Sequence, residues 1–176
     1  LEMARIAADN GTAVMLATPH RKDITENSSV RQVKDLLAVV NSRIDEESID
    51  LRMVLGMETH LDVDLPIEFS CGRALPMNGS RYILVEMPFF GKPNYIEDAL
   101  FQMQLQGTVP VLAHPERIEA FQMDPGLLAR FVERGMLSQI TAGSVVGHFG
   151  SRARRFTHTI LRRRLVHVIA SDTHFP

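Results

Sequence analysis

Histidines and carboxylates recur in this chain at one kind of place, the end of a short apolar run. Val109-Pro-Val-Leu-Ala113 leads into His114-Pro-Glu-Arg117. Pro115 has no N–H to give to a ladder, so a strand must stop there. Thr12–Thr18 leads to Pro19-His20, and Leu51–Leu55 leads through Gly56-Met57 to Glu58. Tyr82–Val85 leads to Glu86, and Val166–Ala170 leads to Ser171-Asp172-Thr173-His174. His20, Glu58, Glu86, His114, Asp172 and His174 are therefore candidate metal ligands. Imidazoles mixed with carboxylates, without a thiolate, suit Mn²⁺, Fe²⁺ or Zn²⁺. Glu58 or Glu86, with two oxygens each, could bridge two ions.

Each residue has a plainer alternative. An Asp-x-His pair such as Asp172-Thr-His174 arises by chance in loops. His114 could be a capped strand-end histidine, and Arg117 could pair with Glu116 or Glu119. Glu86 is the hardest to explain that way, because a carboxylate directly after Ile-Leu-Val is costly to bury unpaired. His60 reads as a surface neighbour of the ligands, and His148, His158 and His167 read as structural. Cys71 does not fit the cysteine phosphatases, which need an Arg six residues on, where this chain has Met77.

The elements that must position these side chains alternate. Leu1–Asn10 reads as the end of a helix stopped by Asn10-Gly11. Thr12–His20 reads as a strand, and Arg21–Asn27 as a polar loop. Val30, Val33, Leu36, Leu37, Val40 and Ile44 mark a helix face. Ile49–Glu58 reads as one strand, residues 59–80 as irregular, and Arg81–Met87 as a strand. Asn94 with Glu97 suggests a capping box before a helix buried through Ile96, Ala99, Leu100 and Met103. Asp124-Pro125 opens a helix with Leu127, Leu128, Phe131 and Val132 inward and Gly135 as its stop. Met136–Thr141 is a strand, Ser151–Leu165 a helix and Val166–Ala170 the last strand.

Repeated βα units imply parallel strands in an α/β fold. Six strands with reactive ends on one side are better served by a closed or nearly closed barrel than by an open sheet, which would spread those ends along a line. A seventh strand is expected ahead of the leading helix, upstream of Leu1.

Composition bounds the rest. The chain has 176 residues, 45% hydrophobic and 23% charged, with a net charge of −2. That is enough for one domain with a real core, and the charge gives no case for nucleic acid or a membrane surface. One cysteine permits no intrachain disulfide and fits a reducing compartment, the cytoplasm. No apolar run approaches the ~20 residues of a membrane span. The arginines from Arg152 to Arg164 read as the solvated face of a helix whose buried stripe is Ala153, Phe156, Ile160 and Leu161.

Ala17-Thr-Pro-His20, Gly56-Met-Glu58, Leu84-Val-Glu86-Met-Pro88, Ala113-His-Pro-Glu-Arg117, Gln139-Ile-Thr-Ala-Gly-Ser144 and Ala170-Ser-Asp-Thr-His174 stand in order along the chain. In these motifs it resembles the bacterial metal-dependent protein-tyrosine phosphatases of the polymerase and histidinol phosphatase (PHP) superfamily, which serve capsule and exopolysaccharide synthesis. The resemblance implies a distorted seven-stranded PHP barrel and up to three metals, commonly manganese. It implies a phosphotyrosine protein, a bacterial tyrosine kinase, as substrate and partner. It also makes Arg117 a catalytic residue, its planar fork presented to two phosphate oxygens.

The chain departs from the family pattern at its start, where a His-x-His strand is expected, and two residues after His174, where a further basic residue is expected. A single domain over residues 1–176, truncated at the N-terminus and at the C-terminus, is the resulting expectation. Two other readings stand beside it. One is a phosphatase for a small ester such as histidinol phosphate; the other is a barrel that binds metal or a partner without turnover.

Overall fold

The structure is a computed structural model that describes residues 1–27 and 29–175, with the side chains of residues 25–27 left aside. The chain runs α1 (Glu2–Asp9), β1 (Val14–Ala17), α2 (Arg21–Asn27), α3 (Val30–Glu46), β2 (Arg52–Leu55) and β3 (Glu58–His60). It continues with α4 (Leu65–Ser70), β4 (Tyr82–Glu86), α5 (Ile96–Leu105), β5 (Val109–Ala113), α6 (Glu119–Met123) and α7 (Pro125–Glu133). β6 (Leu137–Thr141), α8 (Ala142–Val146), α9 (Gly150–Arg162) and β7 (Val168–Ala170) complete it.

Every strand pair is parallel, and the strands lie in chain order. β1 pairs with β2 in one sheet, and β3-β4-β5-β6-β7 form the other. Among the described residues, an isolated bridge between His20 and Glu58 links the two. This is a mixed α/β fold of parallel sheets, so within each sheet the C-terminal ends of the strands face one way.

The larger sheet carries the main core. Ile83, Val85 and Leu112 meet Leu100, Met103, Phe121, Phe131 and Ile160 from the helices, all fully buried. Side chains on successive strands and helices close on one another here, which is why this sheet fixes the site geometry. A separate, much smaller cluster of Ala4, Ile44 and Leu51 holds α1, α3 and the β1-β2 sheet together.

Several local expectations are corrected. Arg21–Asn27 is a helix, not a loop: the His20 carbonyl accepts from the Ile24 N–H at 3.3 Å and Ile24 is buried. Ile49–Glu58 is not one strand. The chain leaves the first sheet at Gly56, whose N–H donates to the Ala17 carbonyl at 2.8 Å, and joins the second at Glu58. A Cβ on Gly56 would stand 3.3 Å from both Leu16 and the Met77 backbone, so a side chain here would have to push its neighbours by a few tenths of an ångström. The run thereby yields two strands, so the described residues hold seven where the sequence suggested six.

Residues 59–80 are not wholly irregular, since the last two residues of β3 and all of α4 lie within them. Asn94 does not cap α5. Tyr95 occupies that position without a side-chain bond, and the Glu97 carboxylate pairs with Lys92 and Arg134, each at 3.3 Å. Leu36 on α3 is exposed rather than buried. Asp124 does cap α7, its side chain accepting from the Gly126 N–H at 2.9 Å.

Candidate active site

Four of the six candidate ligands meet at the C-terminal edge of the strands. His20 follows β1, Glu58 opens β3, Glu86 ends β4, and His114 follows β5. His20, Glu58 and Glu86 each offer a ligand atom, all within 4.8 Å of one another. His114 Nε2 lies 3.0 Å from Glu58 Oε1 and 3.4 Å from Glu86 Oε1. Glu58 and His114 are buried, Glu86 is half-buried, and His20 opens to solvent with 46% of its side chain exposed. The group is thus buried at its base and open at one face.

The backbone holds His114 in an uncommon state. Its φ of 32° and ψ of 52° put it in the left-handed region, the turn that lets the chain leave β5 into Pro115. Asp172, after β7, has a φ of 52°. Left-handed non-glycine residues are uncommon and concentrate where a side chain must be aimed.

Charge in the cluster is balanced within itself. Burial disfavours a charged His114, yet its bonds to Glu58 and Glu86 more than offset this and push its pKa up to about 9. Burial likewise disfavours the Glu86 carboxylate, but the His114 bond and the charges of His114, His20 and His60 hold its pKa below the ordinary value. The stabilisation from His114 is therefore full below its unfolded pKa of ~6.5 and is lost as pH rises through about 9. Metal-free protein is expected to melt at progressively lower temperature from pH 7 to pH 9.5, and His114→Gln to flatten that slope. A melting temperature independent of pH over this interval would show that the imidazole is not held by the two carboxylates.

Asp172 and His174 adjoin the group without entering it. The His174 ring stacks on that of His20 at 6.2 Å. Asp172 turns instead to Arg117, whose Nη1 donates to its Oδ2 at 2.9 Å, and the Thr141 hydroxyl lies 3.4 Å from the same oxygen. The guanidinium of Arg117 also stands 5.2 Å from the Phe89 ring and 4.3 Å from that of Phe149. Phe89 in turn stacks on His114 at 5.4 Å. One aromatic ring therefore separates the arginine from the His/Glu cluster. Neither Glu116 nor Glu119 is the partner of Arg117.

Three contributors escaped the sequence reading. Phe89 and Phe149 carry no chemistry of their own to mark them. Glu116 was read only as a loop neighbour, but its side chain is wholly buried. It accepts from the Thr141 N–H at 2.9 Å and the Ser144 hydroxyl at 2.6 Å, tying the turn after β5 to the start of α8. His60 lies 3.6 Å from Glu86 Oε2 and is half exposed, as a surface neighbour should be. His167 accepts from the Ser138 N–H at 3.1 Å, a structural bond.

A protein-family profile described as capsular polysaccharide synthesis, CpsB/CapC, matches residues 1–176. The tyrosine-protein phosphatase YwqE of Bacillus subtilis is 35% identical over 174 residues, covering 99% of this chain and 68% of that protein. The putative tyrosine-protein phosphatase CapC of Staphylococcus aureus is 31% identical over 175 residues, covering 99% and 68%. In three dimensions, a chain from the crystal structures of YwqE from Bacillus subtilis and CpsB from Streptococcus pneumoniae superposes with a TM-score of 0.88 at 35% identity. That superposition covers 98% of this chain and 70% of the other, and those proteins are described as unique metal-dependent tyrosine phosphatases.

Proposed function

We propose that this chain, which belongs to the CpsB/CapC family of capsular polysaccharide synthesis, is a metal-dependent protein-tyrosine phosphatase. The observation that carries the proposal is the meeting of His20, Glu58, Glu86 and His114 in one cluster, with Arg117 one ring away. The donor set fits divalent metal: imidazole nitrogen and carboxylate oxygen converge, no thiolate competes, and such a set suits Mn²⁺, Fe²⁺ or Zn²⁺, of which the family resemblance favours Mn²⁺. His20, Glu58, Glu86 and His114 would hold it, and Asp172 and His174 adjoin them. Divalent ions there supply Lewis acidity, lowering the pKa of water and neutralising phosphate charge, as the very slow hydrolysis of phosphate monoesters requires.

The residues do the rest. To serve as a ligand His114 would have to give up its proton, and Glu58 and Glu86 would then hold the ion in place of that partner. Arg117 presents two parallel N–H groups to phosphate oxygens, and Phe89 and Phe149 keep its plane oriented. Asp172 now occupies part of that fork, so phosphate entry and release of Asp172 are coupled. Glu116 anchors the turn that carries Arg117.

The strand order, the single direction of pairing and the common edge of the reactive residues support reading the sheets as parts of a distorted seven-stranded PHP barrel forming a single domain. The substrate is then phosphotyrosine on a partner protein, a bacterial tyrosine kinase in the cytoplasm. The test is turnover by Mn²⁺-loaded protein of a phosphotyrosine peptide against histidinol phosphate. The peptide is expected to react with at least ~10-fold higher kcat/KM. Preference for histidinol phosphate would move the assignment to small esters, and no turnover of either would leave a binding protein.

A further inference from the structure

Charge along this chain is unevenly placed. Residues 134–171 contain seven arginines and no Asp, Glu or Lys, although the net charge of the whole is −2. Six of the seven, Arg152, Arg154, Arg155, Arg162, Arg163 and Arg164, lie on or just after α9, and all are exposed. Elsewhere Arg73, Arg117, Arg130 and Arg134 each hold a carboxylate. Among the described residues none of the six does.

The two ends of the helix differ. Arg162–Arg164 sit at its C-terminus, where the helix dipole favours cations, so their placement has an ordinary explanation. Arg152, Arg154 and Arg155 sit in the first two turns, at the positive end, with no acid in the first turn to offset them. That placement works against helix stability, and such local conflicts mark positions kept for another purpose. Its location supplies the purpose. α9 begins directly after Phe149, whose ring packs on the Arg117 guanidinium. Arg154 Cδ lies 3.2 Å from where a side chain on Gly147 would begin, so this arginine leans back over the loop that carries Phe149.

We propose that Arg152, Arg154 and Arg155 form a docking surface for acidic side chains that flank the phosphotyrosine of a protein substrate. The inference rests on the phosphatase reading for its choice of occupant. An extended segment advances ~3.3 Å per residue, so acids roughly two to five residues from the phosphotyrosine can reach the first two turns of α9. Three cations within the first two turns both steer an acidic segment and weaken with salt.

The test is fluorescence anisotropy with metal-free protein and two labelled phosphotyrosine peptides, one with glutamates flanking the phosphotyrosine and one with glutamines there. Wild type is expected to bind the glutamate peptide about 10-fold more tightly at ~50 mM salt, with the preference shrinking at ~0.5 M. Arg152→Gln/Arg154→Gln/Arg155→Gln should abolish the preference, and lysine at the same three positions should restore it. Arg162→Gln/Arg163→Gln/Arg164→Gln should leave it unchanged. A preference that survives the first triple substitution, or that falls equally with the second, overturns the proposal. So does unchanged peptide preference accompanied by lost binding to phosphatidylserine vesicles, which would assign the arginines to a membrane surface. Because binding is read without turnover, a wild type that shows the preference yet hydrolyses neither peptide with Mn²⁺ restored defeats the phosphatase reading and leaves the surface standing.

Discussion

Glu58→Gln is expected to lower kcat/KM on a phosphotyrosine peptide by at least about 1,000-fold, about 4 kcal/mol in the transition state. The substitution keeps shape and removes charge. Glu58 is buried in the cluster along with His114, within 4.8 Å of ligand atoms on His20 and Glu86 and 3.0 Å from His114. A neutral amide there weakens a divalent ion directly, and it also takes away one of the two carboxylates that orient His114. Metal content by elemental analysis should fall together with activity. Near-wild-type kinetics with full metal occupancy would remove Glu58 from the site and, with it, the reading of the cluster as a metal centre.

Arg117→Lys should cost about 10- to 100-fold in kcat/KM while metal content stays unchanged. Lysine keeps the positive charge, but it presents a point where arginine presents a flat fork. It also forfeits the faces of Phe89 and Phe149, 5.2 and 4.3 Å from the guanidinium. Contacts of this kind are worth roughly 0.5–2 kcal/mol each. The lysine variant would still pair with Asp172, so the fold should persist, with stability lowered by the lost ring contacts. Steady-state kinetics indistinguishable from wild type would mean that Arg117 serves only the ion pair with Asp172.

The candidate site was legible because its chemistry sits at strand ends. Apolar runs closing on His20, Glu58, Glu86 and His114 fix both the element and the side on which the last side chain emerges. Asp172 followed the same rule, but its orientation was not legible. The sequence cannot state that Arg117, fifty-five positions away, competes for its carboxylate. Phe89 and Phe149 were invisible for a related reason: an aromatic next to a strand end reads as core unless the neighbouring guanidinium is seen. Among the elements, Ile49–Glu58 misled because Gly56 looks like an ordinary pause in a strand, whereas close packing against Leu16 and Met77 makes it a crossing between sheets. Arg21–Asn27 misled because its composition is polar, although Ile24 is buried.

The division of the core has a consequence for how this molecule breathes. Proteins open in cooperative pieces whose free energies follow the apolar surface each piece buries. The piece built on Ala4, Ile44 and Leu51 is small beside the one around Phe121 and Phe131, so it is the first to open. His20 follows β1, a strand of the weak piece, while Glu58, Glu86 and His114 stand at strands of the strong one. Any ion gripped by both therefore sews the two together, and ligation is linked to closure of the weak half. The donor set is complete only in molecules whose weaker half is folded, so the population of that sub-globally closed state sets the apparent affinity for metal.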